Sequence, residues 1–317
     1  MSREWELEIH QGPAILPLDP RRASIVDTLQ LLISGIANGC IYGLIALGFV
    51  LIYKASESVN FAQGDMMILG AFLAIALINT NQADLPFLIG LAIAGASLAV
   101  FAYLLDALLL RRVFGQPQLT VVVLTIAIGF ILRFIIGAIW GHDPVSLESP
   151  FAGQRLSLGA LSVPMVDAVI IGVTVSLVVL LWLFFARTRL GLAMQASSQN
   201  QMAAYYMGIP VKRVVSLVWA MAGVMAAIAG VMFAAKGAVE PAAGLVFGIK
   251  AFAAAVIGGL GSLPGALAGG LLIGIIEPFA GRHLPSHVAQ VAPYALMLLV
   301  LILRPSGLFA QMRQKKV

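Results

Sequence analysis

Two short polar stretches interrupt a chain that is otherwise mostly apolar, and both carry groups suited to binding a polar solute. The first, KASESVNFAQGD at 54–65, contains the amides of Asn60 and Gln63 and the carboxylate of Asp65. The second, GGLGSLPG at 258–265, offers mainly backbone donors and acceptors, together with the hydroxyl of Ser262. The chemistry that these groups predict is hydrogen bonding to a solute.

The same two stretches are predicted to break helices. In the second, four glycines and Pro264 disfavour helix. Inside a membrane, unwound backbone persists only where it is buried in protein or lines a cavity, so paired breaks indicate a transport pathway. A pair of tight turns at the membrane surface is an equally open alternative. The predicted pathway residues are Asn60, Gln63, Gly64, Asp65, Gly258, Gly259, Gly261 and Ser262.

Charged residues inside the apolar runs are few. Arg133 lies well inside a run, where it could bind a substrate carboxylate or extend its charged end to the membrane surface; we favour the second interpretation. Asp106 is one turn from Arg111 and is positioned to pair with it. Because no series of buried carboxylates runs along the chain, ion-coupled or proton-coupled transport is disfavoured.

Several kinds of active site are missing from the sequence. It contains no GxxxxGK followed by Ser or Thr, so the chain is not an ATPase by itself. It also lacks HExxH and GxSxG, which argues against an intramembrane hydrolase. His283 and His287 have the spacing of helical metal ligands, but Pro285 between them spoils the helix. We therefore predict no metal, no cofactor and no catalytic residue.

The elements that must position these groups follow from composition. The 317 residues are 61% hydrophobic and 10% charged, which is more apolar surface than a soluble core could bury. The sequence predicts an all-α polytopic membrane protein with an irregular N-terminal tail at 1–24 and a single transmembrane domain at 25–317. About eight apolar blocks approach the length of a membrane span, at 27–53, 61–81, 87–110, 119–140, 164–186, 214–235, 246–276 and 288–303.

The net charge of +5 comes mostly from basic residues at the ends of apolar runs, where they anchor the chain at lipid headgroups, so nucleic-acid binding is not predicted. An odd number of apolar blocks separates some basic clusters, which would put those clusters on opposite sides of the membrane if each block crossed once. If every basic cluster faces the cytoplasm, one block in each half must therefore be compound, that is, it must contain two helical segments. The candidates are 246–276 and the region around 54–65. For the first half, an N-terminus outside the cell is an almost equal alternative.

The longest hydrophilic break lies between Arg187 and Arg213, and its basic residues predict that it faces the cytoplasm. From Leu192 to Met207 it favours a short helix, which Gly208 and the following Ile-Pro end. A helix held at the membrane surface suits contact with a cytoplasmic partner. A solvated connector is the alternative that composition alone favours.

These motifs resemble one family, the LivH-type permease subunits of branched-chain amino acid ABC importers. The matching stretches cover nearly the whole chain after the tail, and NFAQGDMM and GGLGSLPGALAGG are the most specific. The four matching stretches are NGCIYGLIALGFVLIYKASESVNFAQGDMMILGAF at 38–72, LGLAMQASSQNQMAAYYMGIPVKRV at 190–214, AAVIGGLGSLPGALAGGLLIGIIE at 254–277 and RPSGLF at 304–309.

The resemblance implies that the 187–213 interval contains a coupling helix that docks on an ATP-binding subunit, through Gln199, Ala203, Ala204 and Gly208. It also implies a non-catalytic permease domain in the bacterial inner membrane, surrounded by lipid. The expected partners are a LivM-like second permease, two ATP-binding subunits and an extracellular or periplasmic substrate-binding protein.

Branched-chain or related amino acids are the implied substrates. Alternatives are urea, amides or other small polar solutes. A stand-alone secondary transporter and a membrane scaffold are rival interpretations that the resemblance disfavours.

Overall fold

The computed structural model describes residues 20–80, 83–113, 116–158 and 161–309. Most of the predicted N-terminal tail and the basic C-terminal residues 313–316 lie outside these ranges. The α-helices are α1 (Pro20–Ser56), α2 (Gln63–Ile78), α3 (Phe87–Leu108), α4 (Gln118–Trp140), α5 (Met165–Arg187), α6 (Arg189–Gln199), α7 (Gln201–Tyr206), α8 (Val211–Lys236), α9 (Ala243–Gly258), α10 (Leu263–His283), α11 (Ser286–Ala289) and α12 (Ala292–Leu303). A short antiparallel hairpin pairs β1 (Arg155–Leu158) with β2 (Leu161–Pro164).

Six helices within the described ranges are long and apolar enough to cross a membrane, and they belong to α1, α3, α4, α5, α8 and α10. Three more, α2, α9 and α12, are apolar but shorter. The predicted multi-pass helical architecture is therefore confirmed. The count of about eight blocks is not confirmed. The block at 246–276 folds as two helices, α9 and α10, so the prediction that this block is compound is confirmed.

Hydrogen bonds between distant segments define two ends of the helical bundle. At the basic end, which carries the Arg111 and Lys212 clusters, Gln118 donates to the Glu57 carbonyl and Gln201 donates to the Ala55 carbonyl. At the opposite end, here called the loop end, the segment 141–164 contacts the turns that follow α2 and α8 through Asn79 and Val239. There Thr80 donates two hydrogen bonds to Glu148, which lower the pKa of its carboxyl group.

The bundle contains an inverted repeat. The helices α1, α2 and α3 correspond to α8, α9 and α10, because α1 packs on α10, α8 packs on α3, and the short helices α2 and α9 contact each other. The two units run in opposite directions, since α1 ends at the basic end near Ala55 whereas α8 starts there near Lys212. Inverted repeats with short or interrupted helices are a recurring architecture of membrane transporters.

Close helix contact depends on glycines at four-residue spacing in α1. A Cβ atom built on Gly39 would lie 2.7 Å from the Leu271 Cα, and one built on Gly274 would lie 2.1 Å from the Gly39 nitrogen. These distances leave no room for a side chain. The backbones of α1 and α10 therefore touch directly, as the small-residue spacing predicts.

Both predicted helix breaks are present, although each is narrower than predicted. The first runs from residue 57, where Glu57 has φ +53°, to residue 62; the second runs from Gly259, with φ +97°, to Ser262. In the first half, α1 starts at the loop end, where Ser34 donates to Asp167, and the chain passes between the two ends three times before Arg111. Which side of the membrane the N-terminus faces stays a prediction.

Candidate functional site

The first polar stretch forms a buried centre where α2 begins. Asn60 and Gln63 are both 0% exposed. The Asn60 amide accepts a hydrogen bond from the Ala62 nitrogen and donates to the Gln63 amide oxygen, each at 3.1 Å, while Gln63 donates to the Ala222 carbonyl of α8 at 3.0 Å. These hydrogen bonds fix the start of α2 against α8. The amides thus have an internal positioning role in this conformation.

Asp65 and Arg133 form the main ion pair of this centre. The Arg133 side chain forms a bidentate ion pair with Asp65: its Nε lies 3.0 Å from one carboxylate oxygen, and a terminal guanidinium nitrogen lies 3.0 Å from the other. The guanidinium also lies 5.0 Å from the centre of the Phe130 ring. Our preferred interpretation of Arg133, extension to the membrane surface, is therefore wrong. The reason is that a carboxylate from another helix provides a partner within the bundle.

Glycines on neighbouring helices make the space for this ion pair. A Cβ atom on Gly129 of α4 would lie 2.5 Å from one Asp65 oxygen, and one on Gly244 of α9 would lie 2.6 Å from the other. Gly64 approaches α9 so closely that its Cβ would lie 2.1 Å from the Gly244 carbonyl oxygen. The first turns of α2 and α9 therefore meet at Asp65, and the positive ends of both helix dipoles favour a carboxylate there.

The second polar stretch has different neighbours. Gly258 and Gly259 are buried, and the carbonyls of Ile257 and Gly258 accept hydrogen bonds from the backbone of Leu308 and Phe309 in the C-terminal segment. Ser262 caps α10 by accepting a hydrogen bond from the Gly265 nitrogen at 3.1 Å. Gly261 is exposed, with open space where a Cβ would stand. The pathway assignment of both stretches stays a prediction.

Two ion-pair networks in the structure were not anticipated from the sequence. In the first network, Glu277 of α10 accepts hydrogen bonds from Lys250 of α9 and, at 2.7 Å, from the Tyr42 hydroxyl of α1. In the second, Lys236 at the end of α8 lies 2.7 Å from Asp167 of α5, without the alignment of a hydrogen bond. A lysine inside the apolar block at 246–276 is the signal that could have revealed the first network.

A third network links α3 to α8 at the basic end. The Ser216 hydroxyl donates to Asp106 and accepts from Arg111, both at 2.6 Å, while the closest nitrogen–oxygen distance of the predicted Asp106–Arg111 pair is 4.0 Å. The two residues thus interact, mostly through a serine on another helix. His283 and His287 lie on separate helices, and no group of metal-ligating side chains is found among the described residues.

The interval between α5 and α8 folds as two short helices instead of the single predicted helix. Asn200 lies between α6 and α7 in an extended conformation, and its side chain accepts a hydrogen bond from the Ala203 nitrogen at 3.0 Å. Asparagine competes well as a helix cap because its short side chain satisfies a free backbone donor. This local bond explains why the chain starts a new helix there.

The residues predicted to contact an ATP-binding subunit are not all exposed on α7. Ala204 is only 4% exposed and packs inside this chain, so the direct partner contact predicted for it does not follow. Ala203 and Gly208 are exposed. Four large apolar or aromatic side chains around them project outward, and we call them the α7 patch: Met202, Tyr205, Tyr206 and Met207, which are 64%, 67%, 77% and 83% exposed.

Gly208 ends α7 with φ +83°, and backbone hydrogen bonds join it to Tyr205 and Ile209 to Ala204. We expect Gly208→Ala to weaken this turn by about 1 kcal/mol, because an L side chain is strained at positive φ. Amide hydrogen exchange at Ile209 should accelerate roughly five-fold. Gly172→Ala is the matched control, since Gly172 has open space and no positive φ. Equal exchange in the two variants would contradict the expectation.

A family described as "Branched-chain amino acid transport system / permease component" matches residues 31–301. The chain belongs to this family. It is 31% identical over 306 residues to the high-affinity branched-chain amino acid transport system permease protein BraD of Pseudomonas aeruginosa, covering 92% of this chain and 99% of that protein. It is 32% identical over 301 residues to LivH of Escherichia coli K12, covering 91% and 97%.

Among solved structures, this permease-family chain is similar to PsaBC from Streptococcus pneumoniae in complex with Fab. The two share 19% sequence identity with a TM-score of 0.49, over 90% of this chain and 97% of that one. Family membership, together with the six long apolar helices, identifies a multi-pass membrane protein of the permease class. The sequence resemblance to LivH-type permeases is confirmed.

Proposed function

We propose that the chain is a non-catalytic permease subunit of an ABC importer for branched-chain amino acids in the bacterial inner membrane. The observation that carries this proposal is the family match over 31–301, with relatives that align from end to end and are named for high-affinity branched-chain amino acid transport. A second permease completes the path, two ATP-binding subunits supply energy, and a binding protein delivers the substrate.

The test is uptake of radiolabelled L-leucine into proteoliposomes that contain this chain with its proposed partners. Uptake should require ATP, the binding protein and all subunits. A secondary transporter would instead move leucine without ATP when reconstituted alone with an ion gradient. A scaffold would move nothing in either preparation, and both outcomes would reject the proposal.

We further propose that the basic end faces the cytoplasm. Support comes from the clusters Arg111–Arg112, Arg187–Arg189 and Lys212–Arg213, which follow the positive-inside rule, whereas the segment 141–164 at the loop end contains one basic residue. This orientation places α1's start outside the cell. A cysteine introduced at Gln116 should therefore react with a membrane-impermeant reagent only in inverted vesicles.

The α7 patch is the proposed contact with an ATP-binding subunit. Exposed tyrosine and methionine side chains at a water-facing end are enriched in protein interfaces and suit a partner groove. Asn200 and Gly208 support this role, because they fix both ends of α7 and hence the direction of the patch. The predicted coupling residues Gln199, Ala203 and Ala204 then position the patch or border it.

We expect Tyr206→Glu to weaken association with the ATP-binding subunit by about 2 kcal/mol, or roughly thirty-fold, because it introduces an unpaired charge into the contact. Co-purification of the subunit and leucine-dependent ATP hydrolysis should both fall. Gln116→Glu, an exposed position at the same end outside the patch, is the control and should change neither. Full activity of Tyr206→Glu would remove the patch from the proposed interface.

A further inference from the structure

A cavity of about 370 Å³ lies between α1, α8, α9 and α10 in the half of the bundle near the loop end. Its wall combines aromatic and aliphatic side chains from three helices: Ile41, Tyr42, Phe233 and Phe247. The rings pack together, with centroids 4.3 Å apart for Phe233 and Phe247 and 5.9 Å apart for Tyr42 and Phe247. This wall is a preformed apolar surface of the kind that ligand pockets use.

Two oppositely charged groups also line the cavity, Glu277 and Lys236. Each keeps part of its side chain accessible, 24% for Glu277 and 27% for Lys236. Each also forms an ion pair with a residue that does not line the cavity: Glu277 pairs with Lys250, and Lys236 pairs with Asp167. The charges are therefore stable when no ligand is present, because neither is left unpaired in an apolar environment.

Both groups retain unused binding capacity. A carboxylate can accept about four hydrogen bonds, and each Glu277 oxygen receives one, from Lys250 or from Tyr42. An ammonium has three donors, and Lys236 has one close acidic partner. A ligand with an ammonium group and a carboxylate could therefore bind both residues without displacing their internal partners.

We propose that this cavity is a binding site for a zwitterionic amino acid with a small aliphatic side chain, on the outward part of the transport path. Glu277 faces the ammonium group, Lys236 faces the carboxylate, and Phe233 and Phe247 contact the side chain. This proposal rests on the proposed function and assigns its substrate a place in this chain.

The charge pattern discriminates among ligand classes. A zwitterion can pair with both charged groups at once, whereas a simple cation can pair only with Glu277 and a fatty acid only with Lys236. The cavity volume lies near the lower end of the range of about 300–1,000 Å³ that small-molecule sites occupy, which suits a single amino acid.

The direct test is binding of tritiated L-leucine to the complete importer in nanodiscs, without the binding protein. Leucine should bind the wild-type complex at least ten-fold more tightly than 3-methylbutylamine, which lacks the carboxylate, or 4-methylpentanoate, which lacks the ammonium group. Equal binding of the three compounds, or no leucine binding, would overturn the site.

A cavity-filling variant tests the location. Gly237 lines the cavity, has extended backbone with φ −173°, and offers open space to a side chain, so Gly237→Leu should fold normally and weaken leucine binding at least ten-fold. The matched control is Gly172→Leu, at an exposed glycine of α5 that also has open space and does not line the cavity. Unchanged binding in Gly237→Leu would place the leucine elsewhere.

A paired variant tests the carboxylate contact without leaving a buried charge. In Lys236→Gln with Asp167→Asn, both charges are removed together, and leucine should lose its advantage over 3-methylbutylamine. A retained ten-fold preference would exclude Lys236 from recognition. Failure of the site is distinguishable from failure of the proposed function, because the wild-type complex must still import leucine with ATP and the binding protein.

Discussion

Asp65→Ala should destabilise the chain by about 3–5 kcal/mol, because it leaves the Arg133 guanidinium without its partner among apolar side chains. Asp65 is 2% exposed and the Arg133 side chain 19% exposed, so water compensates little of the lost interaction. The measurement is denaturant-induced unfolding of the purified chain in detergent. A large decrease in the unfolding midpoint is the expected result.

The reciprocal and combined variants separate charge from shape. Arg133→Met alone should also destabilise the chain, because it leaves the Asp65 carboxylate unpaired. The combination Asp65→Asn with Arg133→Met should recover most of the stability, since no unpaired charge then remains. If the combined variant is as unstable as the sum of the two single variants, the ion pair is not the source of the effect.

This ion pair also bears on the inverted repeat, because Asp65 lies where the first turns of α2 and α9 meet. Arg133 comes from α4, a peripheral helix whose outward side chains are exposed. Loss of the pair should therefore loosen α4 against the α2–α9 junction. Leucine uptake should fall with stability in the single variants and recover with it in the combined variant.

Gly64→Ala should prevent normal folding, with a loss of about 3 kcal/mol or more, at the upper end of what overpacking costs. The added Cβ would stand 2.1 Å from the Gly244 carbonyl oxygen and 2.8 Å from the Gly248 backbone. All the contacting atoms are backbone, so no side chain can rotate away. Yield of folded protein and its thermal midpoint in detergent provide the measurement.

Gly261→Ala is the control for this prediction, because a Cβ there has open space and Gly261 lies in the second helix break. It should leave the thermal midpoint unchanged. From the sequence alone, valine at either glycine is expected to block transport without harming assembly; the structure removes that expectation for Gly64, where bulk disrupts packing. A stable, fully folded Gly64→Ala protein would contradict the close α2–α9 contact.

The structure pairs the first helix break with a different segment from the one that the sequence indicated. The sequence suggested that the break near 54–65 corresponds to the one near 258–265, because each interrupts an apolar region in its own half of the chain. In the repeat, the partner of the first break is instead the turn at 237–242, since Ala62-Gln63-Gly64 and Ala242-Ala243-Gly244 both start short helices that meet. Ala62 and Gly64, which recur as Ala242 and Gly244, preserve this correspondence as a sequence signal.

The sequence by itself determined the properties that depend on local composition. Apolar runs of membrane length predicted the helices, clustered basic residues predicted which loops share an end, and glycine, proline and polar residues predicted where helices stop. The motifs also identified the family. These signals depend on residues that lie within one or two helical turns, or within a single span, and they can therefore be recognised from the sequence.

Tertiary structure alone decided which distant groups meet. Arg133 pairs with Asp65, Glu277 with Lys250, and Lys236 with Asp167, across sequence separations of 27 to 69 residues. It also buried Ala204 while exposing the α7 patch. The physical reason is that a charge inside a membrane protein must find its partner in space, and helix packing chooses that partner through close contacts that leave no mark on local composition.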